Sequence, residues 1–157
     1  MTPPSLRAER IAQSLGAVSL ALILGALAFQ YVGHIAPCEM CHWQRWPHIA
    51  AALIGLGTLM AGGNLPPSQA RAAAIIVIVL VLASGLIGAY QTGMQWHLLP
   101  GPSACTGHRF VLGSAMVPEV QCDVVTWQLF GLSLAAYNAL ISLAAALIGA
   151  AMLWRRT

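Results

Sequence analysis

Four long apolar runs alternate with polar segments along the chain. The first run, residues 11–31, has 21 residues and no charged side chain. At about 1.5 Å per residue, a helix of that length is about 31 Å long, which is enough to cross the hydrocarbon core of a bilayer. Further runs occupy residues 42–61, 72–90 and 128–154. The pattern predicts an all-α membrane protein in which residues 1–157 form a single domain, a four-transmembrane-helix bundle.

The second run contains Pro47, which limits where its helix can begin. A proline deep in a helix removes a hydrogen bond and clashes with the preceding turn. A helix from Pro47 to Ala61 has only 15 residues, too few to cross a membrane. We therefore expect the helix to begin between Cys41 and Gln44, so that Pro47 lies close to its start.

The first run has an alternative interpretation as a cleaved signal peptide. Arg7 and Arg10 would form its basic start, and the Ala26-Leu27-Ala28 stretch resembles a cleavage site. The apolar run is long for such a segment, and the three later spans need a fourth helix to pack on. We therefore favour a transmembrane helix.

The connections between the runs differ in character. Residues 62–68 form a turn rich in glycine and proline. Residues 32–41 and 91–127 lie on the opposite side of a four-span bundle and carry all four cysteines. A connection as long as 91–127 inside a compact protein is usually functional. In addition, the small residues at the far end of the third run predict close helix contact; they are Ser84, Gly85, Gly88 and Ala89.

Composition supports the membrane assignment. The chain is 59% hydrophobic and 7% charged, whereas a soluble domain has about 25% charged residues. Its seven basic residues are all arginine. They form no basic patch with interleaved aromatic residues, so nucleic-acid binding has no support.

The distribution of the arginines predicts the orientation of the chain. Five lie at the termini or in the 62–71 connection, whereas only Arg45 and Arg109 lie on the other side. The positive-inside rule therefore places both termini in the cytoplasm. The cysteines then face an oxidising compartment, where disulfides persist. The histidines lie on or near the same face and are expected to be interfacial or loop residues; they are His34, His42, His48, His97 and His108.

The four cysteines form two pairs with different possible uses. Cys105 and Cys122 are 17 positions apart, and a disulfide closing such a loop stabilises a protein by about 3 kcal/mol. Cys38 and Cys41 have C-x-x-C spacing, whose loop is already almost closed, so a structural role is disfavoured. That spacing favours redox chemistry or metal binding. A non-enzymatic protein with a metal-binding or purely structural cysteine cluster remains the alternative.

Cys41 would have two sources of thiolate stabilisation at a helix start. The free backbone N–H groups and the helix dipole favour the thiolate, and Arg45 lies one turn on, on the same helix face. The sequence has no haem, dinucleotide or iron–sulfur motif. A lipid-soluble quinone is therefore the simplest electron acceptor for a dithiol at the end of a membrane bundle.

The whole chain resembles the disulfide bond formation protein B (DsbB) family. The resemblance rests on four apolar spans, on the cysteine pair between the third and fourth, and on local motifs. These motifs are the Pro37-Cys38-x-x-Cys41-x-x-Gln44-Arg45 segment, Pro100-Gly101-Pro102 before Cys105, and Trp127 leading into Leu129-x-Gly131-Leu132.

The resemblance implies an inner-membrane protein-disulfide:quinone oxidoreductase with periplasmic cysteines. Such a protein reoxidises a DsbA-like periplasmic thiol oxidase and passes the electrons to ubiquinone or menaquinone. Cys105 matches the cysteine that forms the mixed disulfide with the partner, and Cys122 its companion, which attacks Cys38. Cys41 matches the thiolate that faces the quinone, and Arg45 the arginine that stabilises it. The same scaffold run in the reductive direction, or with another partner, is the enzymatic alternative.

The chain departs from the family at one position. Relatives often carry a histidine near the external end of the third span, next to the position of Tyr90. This chain has Gln91 there, and its nearest histidine is His97. The resemblance therefore assigns a quinone-binding role to neither residue.

Overall fold

A computed structural model describes residues 4–102, 105 and 120–155. Within them the chain forms a bundle of four long helices and one small hairpin. The helices are α1 (Pro4–Tyr31), α2 (Glu39–Met60), α3 (Pro67–Gln95) and α4 (Leu134–Trp154), and the strands are β1 (Gln128–Leu129) and β2 (Leu132–Ser133). The remaining parts of the predicted 91–127 loop, with His108 and Arg109, lie outside the described residues, as do residues 1–3, 156 and 157.

Three of the described helices are long and apolar enough to cross a membrane. They are α1 from Ser5 to Tyr31, α3 and α4. The remaining helix, α2, is 22 residues long, but polar side chains are frequent in its first three turns. Its middle and end are apolar, so its polar residues are concentrated at the end that carries the cysteine pair.

The start of α2 lies earlier than the sequence predicts. The helix begins at Glu39 instead of between Cys41 and Gln44, because Cys38 serves as the N-cap. The Cys38 sulfur accepts a hydrogen bond from the backbone N–H of Cys41 at 3.3 Å, which satisfies one of the free donors of the first turn. The cysteine pair is therefore part of the helix start itself.

Pro47 consequently lies inside α2, further from the start than expected. The turn before it is supported from α3, where the Ser84 hydroxyl donates to the backbone oxygen of Gln44 at 3.0 Å. Hydroxyl groups of neighbouring helices commonly satisfy backbone groups around a proline in a membrane helix. A hydroxyl group from α3 thus adds a hydrogen bond to the turn that precedes the proline.

The last helix begins at Leu134 rather than at Gln128. Residues 128–133 form a hairpin in which Gln128 pairs with Ser133. Its two turn residues, Phe130 and Gly131, have φ angles of 50° and 77°, the left-handed conformation that a two-residue hairpin requires. Ser133 then caps α4 by accepting from the N–H of Ala136 at 3.2 Å. The hairpin turn and the Ser133 cap together explain why α4 begins at Leu134 instead of Gln128.

Glycines allow the helices to approach closely. A Cβ on Gly55 of α2 would lie 2.8 Å from the Cα of Gly16 in α1, and one on Gly88 of α3 would lie 2.9 Å from the backbone oxygen of Ala135 in α4. A Cβ on Gly85 would also meet Leu143 at 3.0 Å. The prediction of close contact at Gly85 and Gly88 is confirmed.

The termini and the 61–66 turn meet at one end of the bundle. Arg7 near the N-terminus donates to the backbone oxygen of Arg155 at 3.3 Å, and Gly63 in the turn lies against Leu6. The cysteines gather at the other end. The arginines of the terminal segments and the four cysteines thus lie at opposite ends of the bundle.

Candidate redox site

All four cysteines come together between the helix ends. Cys38, Cys105 and Cys122 are buried in one cluster, and Cys41 packs against it. Each of the three buried cysteines is at most 4% exposed. The fold therefore brings the local pair of α2 next to the pair of the long connection, which the sequence alone assigned to separate loops.

The two pairs are in different redox states. Cys105 and Cys122 form a disulfide, and the backbone N–H of Cys122 donates to the oxygen of Cys105 at 3.0 Å. Cys38 and Cys41 are free thiols with their sulfurs 2.6 Å apart. Thiol–disulfide exchange interconverts the redox states of two such neighbouring pairs.

Hydrogen bonding differentiates the sulfurs of the reduced pair. The bond from the Cys38 thiol lowers the pKa of Cys41, against the opposing effect of burial, and contacts from Gln91 and the charge of Arg45 lower it further. The same bond, followed by burial, raises the pKa of Cys38. Cys41 is therefore the more acidic thiol of the pair, and the thiolate is the reactive form of a cysteine.

Arg45 lies on the same side of α2 as Cys41, despite the nearby proline. Its Nη1 donates to the side-chain oxygen of Gln30 in α1 at 2.6 Å. Gln30 is neutral, so this contact orients the guanidinium without cancelling its charge. Both Arg45 and Cys41 border one cavity. A fixed positive charge therefore faces the cavity beside the thiolate.

The cavity has a volume of about 380 Å³, within the range of small-molecule sites. Most of its wall is apolar and comes from α1, α4 and the 120–129 segment, where Trp127 packs on Phe29 with 4.8 Å between ring centroids. Its polar side is formed by α2 and α3; that side includes Cys38, Cys41, Gln44, Arg45, His48 and Gln91. The cavity suits a flat, largely apolar molecule with a few hydrogen-bond acceptors.

Gln91 is a site residue whose role sequence reasoning left open. It is 2% exposed, and its side-chain nitrogen lies 3.2 Å from the sulfur of Cys38 and 3.9 Å from that of Cys41. The same nitrogen is 3.3 Å from the backbone oxygen of Cys122. The sequence signal was its position near the external end of an apolar span, but only the folded chain shows what it contacts. His97, the other residue left open, is exposed.

His48 is buried at 3% exposure, so its prediction as an interfacial or loop residue is wrong. Its Nδ1 lies 3.1 Å from the hydroxyl of Ser19 and its Nε2 2.9 Å from the side-chain oxygen of Asn138. Polar partners from two other helices allow an imidazole to be buried there. His34 and His42, in contrast, are exposed.

The metal-binding alternative would involve the same cysteines and the nearby histidines. Among the residues that the structure describes, no three histidine, cysteine or acidic side chains are placed to share a metal ion.

Comparison with known proteins identifies the family. The family model described as "Disulfide bond formation protein DsbB" matches residues 8–152. Disulfide bond formation protein B of Azoarcus sp. (strain BH72) is 32% identical over 87% of this chain and 86% of its own length. The protein of the same name from Aromatoleum aromaticum is 33% identical over 79% of each chain. No solved structure matches. With its free C-x-x-C pair, its disulfide and its membrane-crossing helices, the chain belongs to the DsbB family of membrane-embedded redox proteins of disulfide formation.

Proposed function

We propose that the protein is a quinone-dependent thiol oxidase of the bacterial inner membrane. It reoxidises a DsbA-like periplasmic dithiol protein and passes the electrons to ubiquinone or menaquinone, in support of protein disulfide formation. One observation carries the proposal: Cys41 and Arg45 border an apolar cavity, while Cys38 lies in the same buried cluster as Cys105 and Cys122. One pair can thus meet a protein partner while the other meets a lipid-soluble acceptor.

Electrons reach the inner pair by successive exchange. The route begins with both pairs as disulfides and ends with Cys38 and Cys41 as thiols, the state that the structure shows. A thiolate of the partner attacks Cys105, forming a mixed disulfide and releasing Cys122 as a thiolate. Cys122 then attacks Cys38, which breaks the Cys38–Cys41 bond and releases Cys41 as a thiolate. The second partner thiol resolves the mixed disulfide, and the freed Cys105 displaces Cys38 from Cys122. Two electrons have then moved from the partner to the Cys38–Cys41 pair, and each step replaces one sulfur–sulfur bond by another.

The residues around the cavity fit a quinone. Arg45 would donate to a carbonyl oxygen, Cys41 would face the ring, and the apolar wall around Phe29 and Trp127 would exclude water. A quinone bound there supplies the sink for two electrons and two protons. The chain's own contribution is to hold the thiolate of Cys41 beside a permanent positive charge.

The proposed topology has four spans, with both termini cytoplasmic and the cysteines periplasmic. The excess of arginine at the termini and turn supports it. The meeting of Arg7 with Arg155 at the end opposite the cysteines also agrees with it. In this topology α2 is the least apolar span, and its polar first turns lie against the redox site.

The test is quinone reduction by the purified protein with a reduced periplasmic dithiol protein as donor. We expect turnover with ubiquinone or menaquinone, and we expect Cys41→Ser to abolish it. Turnover that persists in Cys41→Ser would refute the mechanism. Absence of turnover in the unaltered protein together with one equivalent of bound zinc would favour the metal-binding alternative.

A further inference from the structure

Gln91 links the two cysteine pairs through a single amide group. Its side-chain NH₂ group donates one hydrogen bond to the sulfur of Cys38 at 3.2 Å and one to the backbone oxygen of Cys122 at 3.3 Å. Because the side chain is 2% exposed, water does not compete for these contacts. The amide therefore holds the backbone of Cys122 close to the sulfur of Cys38.

The orientation of this amide is determined by its partners. The backbone oxygen of Cys122 can only accept a hydrogen bond, so Gln91 must present its nitrogen there. Its side-chain oxygen then faces the side-chain nitrogen of Gln44 at 2.6 Å. Gln44 is therefore the donor in this contact, and its own oxygen faces the next residue of the network, Asn138, at 2.8 Å.

A second backbone oxygen fixes the direction independently. The side-chain nitrogen of Asn138 lies 3.3 Å from the backbone oxygen of Ser84, which can only accept. The side-chain oxygen of Asn138 thus faces Nε2 of His48 at 2.9 Å, which must carry a proton there. Nδ1 of the neutral ring then accepts from the hydroxyl of Ser19 at 3.1 Å.

The result is a chain of hydrogen bonds in which every donor points toward Cys38. The chain starts at Ser19 in α1 and reaches the sulfur of Cys38 through four side chains, which are in order His48, Asn138, Gln44 and Gln91. Hydrogen bonds aligned in this way polarise one another. Rotating Gln91 would leave Gln44 of α2 and the backbone oxygen of Cys122 without their buried partners, so these contacts fix the amide in place.

We propose that Gln91 is a positioning residue for disulfide exchange between the two pairs. It fixes the backbone of Cys122 beside Cys38 for the step in which the Cys122 thiolate attacks. In that step the Cys122–Cys38 bond forms, the Cys38–Cys41 bond breaks, and Cys41 leaves with the electron pair as a thiolate. The proposal rests on the exchange route of the proposed function and needs no further oxidant.

The experiment isolates the inter-pair bond. In the variant Cys41→Ser/Cys105→Ser, Cys38 and Cys122 are the only cysteines of the chain. The purified variant is equilibrated with glutathione redox buffers, and its free thiols are trapped with a maleimide. The fraction of Cys38–Cys122 disulfide then gives an equilibrium constant. Adding Gln91→Leu should lower this constant about tenfold, as expected for losing hydrogen bonds that hold the pair together.

The matched control is Thr92→Val in the same background. Thr92 is the next residue of α3 and is also buried, but its hydroxyl donates to the backbone oxygen of Gly88 at 2.8 Å. We expect Thr92→Val to leave the constant within about twofold of the parent. Equal constants for Gln91→Leu and Thr92→Val would overturn the proposal.

A second variant covers the case in which Gln91→Leu does not fold. Gln91→Glu has the same size, but a carboxylate only accepts hydrogen bonds, so it should lower the constant as well. A constant for Gln91→Glu equal to that of Thr92→Val would overturn the proposal. The assay contains neither quinone nor partner protein. Failure of the unaltered protein to reduce quinone would therefore refute the proposed function without changing these constants.

Discussion

Cys41 is the residue on which the redox chemistry converges. Its sulfur accepts from the Cys38 thiol at 2.6 Å, lies near the Gln91 amide and borders the cavity with Arg45. Burial opposes the charge, but these contacts outweigh it, so the pKa of Cys41 falls. A thiolate held in this way is ready to donate electrons without the help of a base.

The first prediction concerns the pH dependence of this thiol. Because the pKa of Cys41 is lowered, its thiolate persists as the pH falls below about 8.5, the usual pKa of a cysteine thiol. The rate of iodoacetamide labelling of Cys41 in the reduced protein should therefore have its midpoint well below that pH. Mass spectrometry of the labelled peptide measures it. In Cys38→Ala the midpoint should move upward, since alanine has no side-chain donor for the Cys41 thiolate, and an unchanged midpoint would contradict the assignment.

The second prediction concerns Arg45. A hydrogen bond to a charged group contributes about 1.5–3 kcal/mol, so Arg45→Ala should raise the apparent KM for quinone at least about tenfold. The exchange of disulfide with the soluble partner should be unaffected, because it occurs at Cys105. Steady-state kinetics with each substrate varied in turn separates the two. An unchanged quinone KM would refute the role of Arg45.

At the scale of single residues, the sequence pointed to the cysteines and Arg45 but not to the side chains that contact them. Spacing favoured redox chemistry or metal binding for Cys38 and Cys41, and its permanent charge singled out Arg45. The contacts of Gln91 and His48 could not be predicted, because their partners are distant in sequence: the bond between Gln91 and Cys122 spans 31 positions, and that between His48 and Asn138 spans 90. Such contacts exist only once the helices have packed.

At the scale of the elements, close helix contacts determine where the site lies. The backbones of α1 and α2 approach at Gly16 and Gly55, which sets how α2 packs against α1 and thus where Cys41 and Arg45 meet the cavity. Membrane helices have little hydrophobic drive to associate with each other, so such small-residue contacts carry much of the packing.

The third prediction tests this crossing. Gly55→Ala places a Cβ 2.8 Å from the Cα of Gly16, and overpacking of this kind typically costs about 1–3 kcal/mol. Gly57→Ala is the control, since a Cβ there meets nothing within 4 Å and alanine favours a helix over glycine. Thermal unfolding in detergent should show Gly55→Ala below the parent and Gly57→Ala equal to it or above. A reversed order would contradict the packing.

The helices were predictable from apolar length, but two of their starts were not. The sequence placed Pro47 near the start of α2, whereas the sulfur of Cys38 caps the helix earlier and Ser84 supports the proline turn. Likewise, the 128–133 hairpin reads as the beginning of an apolar span. The left-handed conformation of Phe130 is not apparent from its residue type, because aromatic residues seldom adopt it.

At the scale of the whole molecule, the two ends of the bundle differ in composition, and an apolar cavity lies between the helices. The termini and the 61–66 turn meet at one end, and all four cysteines cluster at the other. The sequence predicted this division from cysteine and arginine positions. It did not predict the cavity, whose wall comes from α1, α4 and the 120–129 segment together.

The central claim is that electrons leave the Cys38–Cys41 pair through this cavity, and one comparison tests it directly. Gly25 lines the cavity, and a Cβ there meets nothing within 4 Å, so Gly25→Leu should fill the cavity without displacing a helix. Gly57→Leu, at an exposed position of α2 with the same freedom, is the control. The measurement is the apparent KM for quinone with the reduced partner in excess. We expect this KM to rise at least about tenfold in Gly25→Leu, equivalent to about 1.4 kcal/mol, and to stay unchanged in Gly57→Leu. Equal values in the two variants would contradict it.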